Sequence, residues 1–297
     1  MKRIFPCIGI VGCMALVLIS SEQTAQAVRD GLLLCAQSVI PALFPFFVLS
    51  GLFASLGYAQ WIGTAFHPTL GRLFACSSAG TSAFLLGMIG GYPVGGRTVG
   101  QLYRSDHCSA REAEHLLAFC NNAGPAFIFG IAGNCFSDSR CGWSLYLIHI
   151  SSAILTGLLL GRSHARADTA DSEPFVPFST AFVRSVQDSA VAMVQLCGFL
   201  VFFLVILRLL TAALSLGHPL ILGFVELTCG ILHLPPTREG FIWGAALLGW
   251  GGLSVHCQTA ALLSGTSLSL RRYLLGKAVQ SALSAAIAIP VSGWIFL

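Results

Sequence analysis

Four stretches of this sequence carry no Asp, Glu, Lys or Arg: residues 31–71, 141–161, 189–207 and 240–270. A helix that crosses the hydrocarbon core of a bilayer takes about 20 predominantly apolar residues, and several of these runs meet or exceed that length. A buried helix of a water-soluble protein would need a polar face, which these runs lack. Only 9% of the 297 residues are charged and 55% are hydrophobic, whereas an ordinary globular domain carries roughly 25% charged residues. So few charges cannot cover a soluble surface. The expected fold is an all-α polytopic membrane protein with the lipid bilayer as its surroundings. Sixteen basic and 12 acidic residues leave a balance of +4, too little for the basic field that holds nucleic acid, so no nucleic-acid partner is expected. The 11 cysteines form no C-x-x-C pair and mostly sit in apolar runs, where they read as small hydrophobes; no metal or cofactor is expected.

Along the chain, Lys2 and Arg3 precede an apolar stretch and then Ala25-Gln26-Ala27. The favoured reading is an N-terminal signal-anchor span over 1–27, against a cleaved signal, with its basic end starting in the cytoplasm. Residues 28–56 contain Pro41 and Pro45, which free backbone carbonyls and predict a kinked span. Residues 73–103 are too rich in glycine for a plain helix and predict two short helices meeting at an unwound tip, Gly91-Tyr92-Pro93-Val94-Gly95-Gly96-Arg97. Irregular backbone at membrane depth is tolerated only inside protein or beside a water-filled cavity, so such a tip is a candidate solute site. Ser109-Ala110-Arg111-Glu112 has the capping-box pattern. The helix it starts is predicted to break at Asn121-Asn122-Ala123-Gly124 and resume at Pro125. Residues 143–161 form a clean span, and a polar linker over 162–182 separates a first repeat, 28–161, from a second, 183–297.

The second half echoes the first. Val183-Arg184 followed by Val201-Phe202-Phe203-Leu204 repeats the spacing of Val28-Arg29 followed by Phe46-Phe47-Val48-Leu49. His218-Pro219 echoes His67-Pro68, Leu247-Leu248-Gly249 echoes Leu85-Leu86-Gly87, and Gly249 to Ser254 echo the first glycine-rich tip. A capped helix follows each tip, from Ser109 and from Ser269. Four echoes in one order predict an internal duplication, here an inverted repeat whose helices over 28–56 and 183–214 run antiparallel. Duplicated halves with interrupted segments point to a secondary transporter.

Three segments carry a family resemblance: Gly91-Tyr92-Pro93-Val94-Gly95-Gly96-Arg97, Phe119-Cys120-Asn121-Asn122-Ala123-Gly124-Pro125 and Gly251-Gly252-Leu253-Ser254-Val255-His256-Cys257-Gln258. Together they resemble the sporulation integral membrane protein family (YlbJ-like) of the nucleoside-recognition, or Gate, superfamily, and Phe224 to Gly230 fits a fourth family segment. The resemblance implies a fold related to concentrative nucleoside transporters, with paired re-entrant hairpins and broken transmembrane helices in two inverted repeats. It also implies a role in spore formation, at the outer forespore membrane of a sporulating bacterium, passing dipicolinic acid toward the forespore. Two departures stand out. Gly96-Arg97 replaces the family's frequent Ala-Lys, and Trp250 its Phe; Arg is a bidentate fork where Lys is a point charge.

The expected solute site therefore comprises Gly91, Tyr92, Pro93, Gly95, Gly96, Arg97, Asn121, Asn122, Gly124, Pro125, Gly251, Gly252, Ser254, His256 and Gln258. A planar dicarboxylate needs N–H donors, which helix starts supply, and a cation. Arg97 is either that cation or a side chain that snorkels to headgroups. Asn121 and Asn122 either bind solute or satisfy the carbonyls freed by the break. Ser254 is a site residue or a helix cap; His256 is a titrating group or a partner of a neighbour. Glu226, alone in an apolar stretch, is expected as an ion or proton coupling site, with a buried pair to Arg208 as the alternative.

Two motifs are decoys. Gly91-x-x-x-x-Gly96-Arg97-Thr98 nearly spells a phosphate loop, but lacks the Lys and a preceding strand. Glu112-Ala113-Glu114-His115 offers one E-x-x-H pair where a di-metal bundle needs two, and reads as an exposed amphipathic helix. No nucleophile and base pair stands out, so an enzyme is not expected. The leading function is a secondary transporter of a small anionic solute, with a coupling ion and an oligomer left open. The alternatives are a non-transporting docking partner in spore formation and a transporter of a nucleoside-like solute. Arg271, Arg272 and Lys277 would face outside under a strict inverted repeat, against the positive-inside trend.

Overall fold

The computed structural model describes residues 4–161, 176–214 and 217–296, and every regular element among them is helical. Most of the polar linker, 162–175, lies outside the described residues; its last part, 178–182, is already the start of a long helix. Among the described residues, five helices are long and apolar enough to cross a membrane: Ser21–Ser55, Ala110–Cys135, Ser139–Leu159, Phe178–Ala212 and Arg271–Ile295. A sixth would be the pair Tyr58–Phe74 and Ser78–Gly90, bent by 95°. The first helix, α1 (Ile4–Ile19), has 16 residues, short of the roughly 20 of a span.

The first long helix is α2 (Ser21–Leu34) running through a π-helical turn, Cys35–Val39, into α3 (Ile40–Ser55). The wider turn just before Pro41 accommodates a residue that cannot donate to the helical ladder, so the expected kink is absorbed as a π-bulge. Next come α4 (Tyr58–Phe66), a π turn His67–Gly71, and α5 (Arg72–Phe74). Then follow α6 (Ser78–Gly90) and α7 (Val94–Arg104), the two short helices that the glycines predict. Ser109 caps α8 (Ala110–Cys120) by accepting from the Glu112 N–H at 3.2 Å. After a break, Pro125 opens α9 (Pro125–Phe127), continued by looser turns to Cys135. The first half closes with α10 (Ser139–Leu159), capped by Asp138, whose carboxyl the Arg140 side chain holds below its ordinary pKa. The second half contains α11 (Phe178–Leu214), α12 (Pro219–Val225), α13 (Leu227–Leu232), α14 (Arg238–Trp250), α15 (Gly252–Leu262) and α16 (Arg271–Ile295).

Cross-contacts fix how these run. Asp30 pairs with Arg208 at 2.5 Å, Gly31 packs on Val201 and Leu204, and Gly51 packs on Ser185, so α2–α3 and α11 are antiparallel. That is the course an inverted repeat requires of them, although two neighbouring helices of a simple bundle would do the same. Bonds from Arg140 to Ile295 O, Ser284 to Ser152 and Arg272 to Leu160 O make α10 and α16 antiparallel as well. Helices α6 and α7 fold back on each other as a true hairpin. Glycine permits it: a Cβ at Gly87 or Gly95 would overlap the Cys120 carbonyl of α8, which runs against both.

The second glycine-rich segment behaves differently from expectation. Arg238 meets Ser292, Ala246 O meets Ser281, and His256 meets Tyr273. Helices α14 and α15 therefore run in one direction along α16, and Gly251 interrupts a continuing helical course rather than tipping a hairpin. The second hairpin is instead α12–α13, so tightly closed that a side chain at Gly230 would strike the Gly223 backbone, with Glu226 at its tip. His67 and His218 differ too: one lies inside a helical turn and the other caps α12 through the Leu220 N–H. A third correction concerns α8. Glu112 and His115 are fully buried, not on an exposed face. The Glu112 carboxylate accepts from the Ser77 N–H at 2.7 Å, bracing the start of α6, and so does not close a capping box with Ser109.

Candidate functional site

Four interruptions of helical backbone meet in the interior: the tip Gly91-Tyr92-Pro93 with its cis Tyr92–Pro93 bond, the break at 121–124, the Gly251-Gly252 pair, and the Glu226 tip. Gly91, at φ 72°, stands so close to Gly124 that a Cβ on either would collide with the other's backbone. Gly251, at φ 91°, faces the Tyr92 ring, whose hydroxyl lies 3.4 Å from the Leu248 carbonyl. Gly252 packs on the Leu227 N–H and the Gly223 carbonyl at the second hairpin. Positive φ and close backbone approach are what glycine supplies without steric cost.

A cavity of about 40 Å³ opens where these elements meet. Its walls are Gly91, Tyr92, Gly124, Glu226, Thr228 and Gln258 among apolar side chains from α3 and α11, including Phe47 and Leu200. This is room for one or two waters and well below the roughly 300–1,000 Å³ of a small-molecule site, so a ring-bearing solute requires the hairpins to part. A second cavity, about 180 Å³, lies on the other side of Phe47, lined by Pro93, Arg97, Thr98, Gln101, Ser185 and Asp188. Arg97 is thus outside the inner cavity. It pairs with Asp188 at 3.2 Å, with side-chain exposures of 40% and 62%, and an exposed pair of this kind contributes only about 0–1 kcal/mol.

Behind the inner cavity lies a buried polar network. The Asn121 Oδ1 accepts from the Gly96 N–H at 3.2 Å, and its Nδ2 donates to Thr259 Oγ1 at 2.8 Å. The Asn122 Nδ2 donates to the Phe119 carbonyl at 2.6 Å, and its Oδ1 accepts from Gln280 Nε2 at 2.9 Å. His256 Nδ1 lies 2.9 Å from the Tyr273 hydroxyl, and its ring stands edge-on to Trp250. The two asparagines therefore satisfy groups around the break, and His256 is engaged by a neighbour. Of the residues expected from sequence, Gly91, Tyr92, Gly124, Gln258 and Glu226 line the inner cavity. Pro93 and Arg97 line the outer one, and Gly95, Gly96, Asn121, Asn122, Pro125, Gly251, Gly252, Ser254 and His256 build the surrounding frame.

Glu226 is not the partner of Arg208, which Asp30 occupies. Its carboxylate caps α13 by accepting from the Cys229 N–H at 2.6 Å, with Ser254 Oγ 3.4 Å from its other oxygen. One residue given no role by the sequence motifs stands at the centre: Lys277, fully buried, donates to the Asn121 carbonyl at 3.0 Å and to Gln280 Oε1 at 2.7 Å. Its ammonium also sits 5.3 Å from the Tyr92 ring centroid. A signal for it exists in the chain, namely a cation that continues past Arg271 and Arg272 into the apolar part of the same helix, preceded by Gly276 and followed three residues on by Gln280.

The long apolar helices define an integral membrane protein, and residues 36–136, spanning the π turn of the first long helix through the broken span, match the model of the Gate family, described as nucleoside recognition. Over 91% of this chain, and 78% of the relative's length, the sequence is 26% identical to the sporulation integral membrane protein YlbJ of Bacillus subtilis (strain 168). Both findings agree with the resemblance carried by the three motifs. No solved structure matches.

Proposed function

We propose that this chain is a secondary transporter that passes a small anionic solute, dipicolinate in a sporulating cell, toward the forespore through the outer forespore membrane. The observation that carries the reading is the convergence of four helix interruptions on one buried cavity, the arrangement in which transporters hold solute between broken helices. Likeness to a sporulation membrane protein supports the cellular setting. The halves 28–161 and 183–297 act as inverted repeats, matched by shape rather than by echo: hairpin α6–α7 with hairpin α12–α13, broken span α8–α9 with α14–α15, and α10 with α16. Solute reaches the inner cavity from the Arg97-lined outer one past Phe47, the side chain common to both.

A second reading has its own observation. The inner cavity presents a carboxylate, an amide and a hydroxyl and, among the described residues that line it, no cation, a donor and acceptor set that suits a neutral nucleoside-like solute. Purified protein in sealed vesicles, offered labelled dipicolinate or labelled uridine, separates the two. Dipicolinate uptake above protein-free vesicles supports the first reading, uridine uptake alone supports the second, and neither would leave membrane docking as the better account.

A further inference from the structure

Where a span is broken, the last carbonyls of its first half lose their helical N–H partners and carry the negative end of the helix dipole. Ion-coupled transporters commonly neutralise such unwound carbonyls with a bound sodium ion. At the α8 break the position beside the Asn121 carbonyl is filled by the Lys277 ammonium. Its three N–H directions are accounted for by two carbonyl oxygens, Asn121 O and Gln280 Oε1, and by the face of Tyr92. Two of these partners are neutral oxygens, the ligand type that unwound backbone offers a coupling ion, and the third is a ring face, which also attracts cations. No carboxylate lies within ion-pair distance of Lys277 among the described residues.

The surrounding packing is arranged to deliver that charge. Helix α16 runs parallel to α8, with Glu114 accepting from the Ser269 N–H at one end and Gln280 donating to Asn122 at the other. A Cβ at Gly276 would overlap the Ala118 carbonyl, so the glycine before Lys277 is what lets α16 lie close enough for the amine to reach the break. The Glu226 carboxylate accepts from the Cys229 N–H and lies within reach of the Ser254 hydroxyl, and it is not an ion-pair partner of Lys277.

We infer that Lys277 is a tethered cation standing in for a coupling sodium at the α8 break, so that the protein needs no alkali cation there. The inference assumes the transporter reading only in its consequence for coupling; the cation position itself is tested without solute. Thermal unfolding of the full chain in detergent, followed by tryptophan fluorescence, is compared in sodium chloride and in choline chloride at equal ionic strength. The native protein should show the same midpoint in both. Lys277→Met, which leaves the carbonyls open, should unfold several degrees lower in choline and regain most of the loss in sodium. A native midpoint that rises in sodium would overturn the inference, as would a Lys277→Met protein that is unstable and indifferent to sodium, since that marks a lysine of structural value only. Should Lys277→Met fail to fold, uptake by native protein decides: equal rates in sodium and choline support the tethered cation, and a sodium requirement sinks it. Absence of all uptake would end the transporter reading while leaving the thermal result to stand on its own.

Discussion

The span α8–α9 is interrupted over four residues, 121–124, and α14–α15 over a single glycine, Gly251. The longer break frees carbonyls and fills the gap with side chains: Asn121 and Asn122 turn inward, and Lys277 and Gln280 arrive from α16 to meet them. The shorter break uses positive φ at Gly251 and Gly252 and close contact, Gly251 against the Tyr92 hydroxyl and Gly252 against the backbone of the second hairpin. One half thus stores its polarity at the break, while the other contributes the helix that completes it. Neither half has a satisfied interior alone.

Overpacking the interlock should disrupt the two breaks most severely. Gly276→Val pushes a side chain into the Ala118 carbonyl, and Gly249→Val pushes one into the Ser281 backbone. Each should cost about 1–3 kcal/mol or more, read as a lowered midpoint of thermal unfolding in detergent. Gly198→Val, which meets nothing within 4 Å, should stay near native. Next comes the polar break itself. Asn121→Ala strands the Gly96 N–H and should cost about 1–3 kcal/mol, whereas Ser254→Ala, with a single 3.4 Å contact, should cost less than half of that. Equal losses would show that the two breaks are held alike.

Much of this architecture is legible in the chain alone. Charge-free runs mark the spans, the Gly91 region marks the first hairpin, and Asn121 to Pro125 mark the first broken helix, because glycine, asparagine and proline each disrupt a helix for a local reason. Pairing across the molecule is not legible in the same way. Gly251 looks like Gly91 in sequence, yet whether a glycine pair reverses a chain or merely interrupts it depends on the neighbour it runs along, here α16. Glu226 looks like an isolated charge because its partner is a backbone N–H, which sequence does not display. Lys277 lies 156 positions from the asparagine whose carbonyl it meets, and nothing within α8 itself shows that Glu112 is buried to brace α6.

Smaller changes distinguish the roles of the charged groups. Glu226→Gln weakens a charged cap and should cost about 1 kcal/mol while the protein still inserts and purifies; if Glu226 also carries a proton, uptake by the variant should lose its response to external pH. The least effect on stability is expected for Arg97→Gln, about 0–1 kcal/mol, because both members of its ion pair are exposed. A slower solute uptake at unchanged unfolding midpoint would fit an outer-cavity role for Arg97, and a large stability loss would argue against it.

Whether solute is held where the interruptions converge can be read from thiol protection. In a chain whose 11 cysteines have been replaced, Gln258→Cys places a thiol on the inner cavity wall, and Gly198→Cys serves as an exposed control. Dipicolinate should slow modification by a membrane-permeant thiol reagent at position 258 and leave position 198 unaffected. Modification of both positions at rates indifferent to dipicolinate and to uridine would show that the convergence of broken helices is not where solute binds.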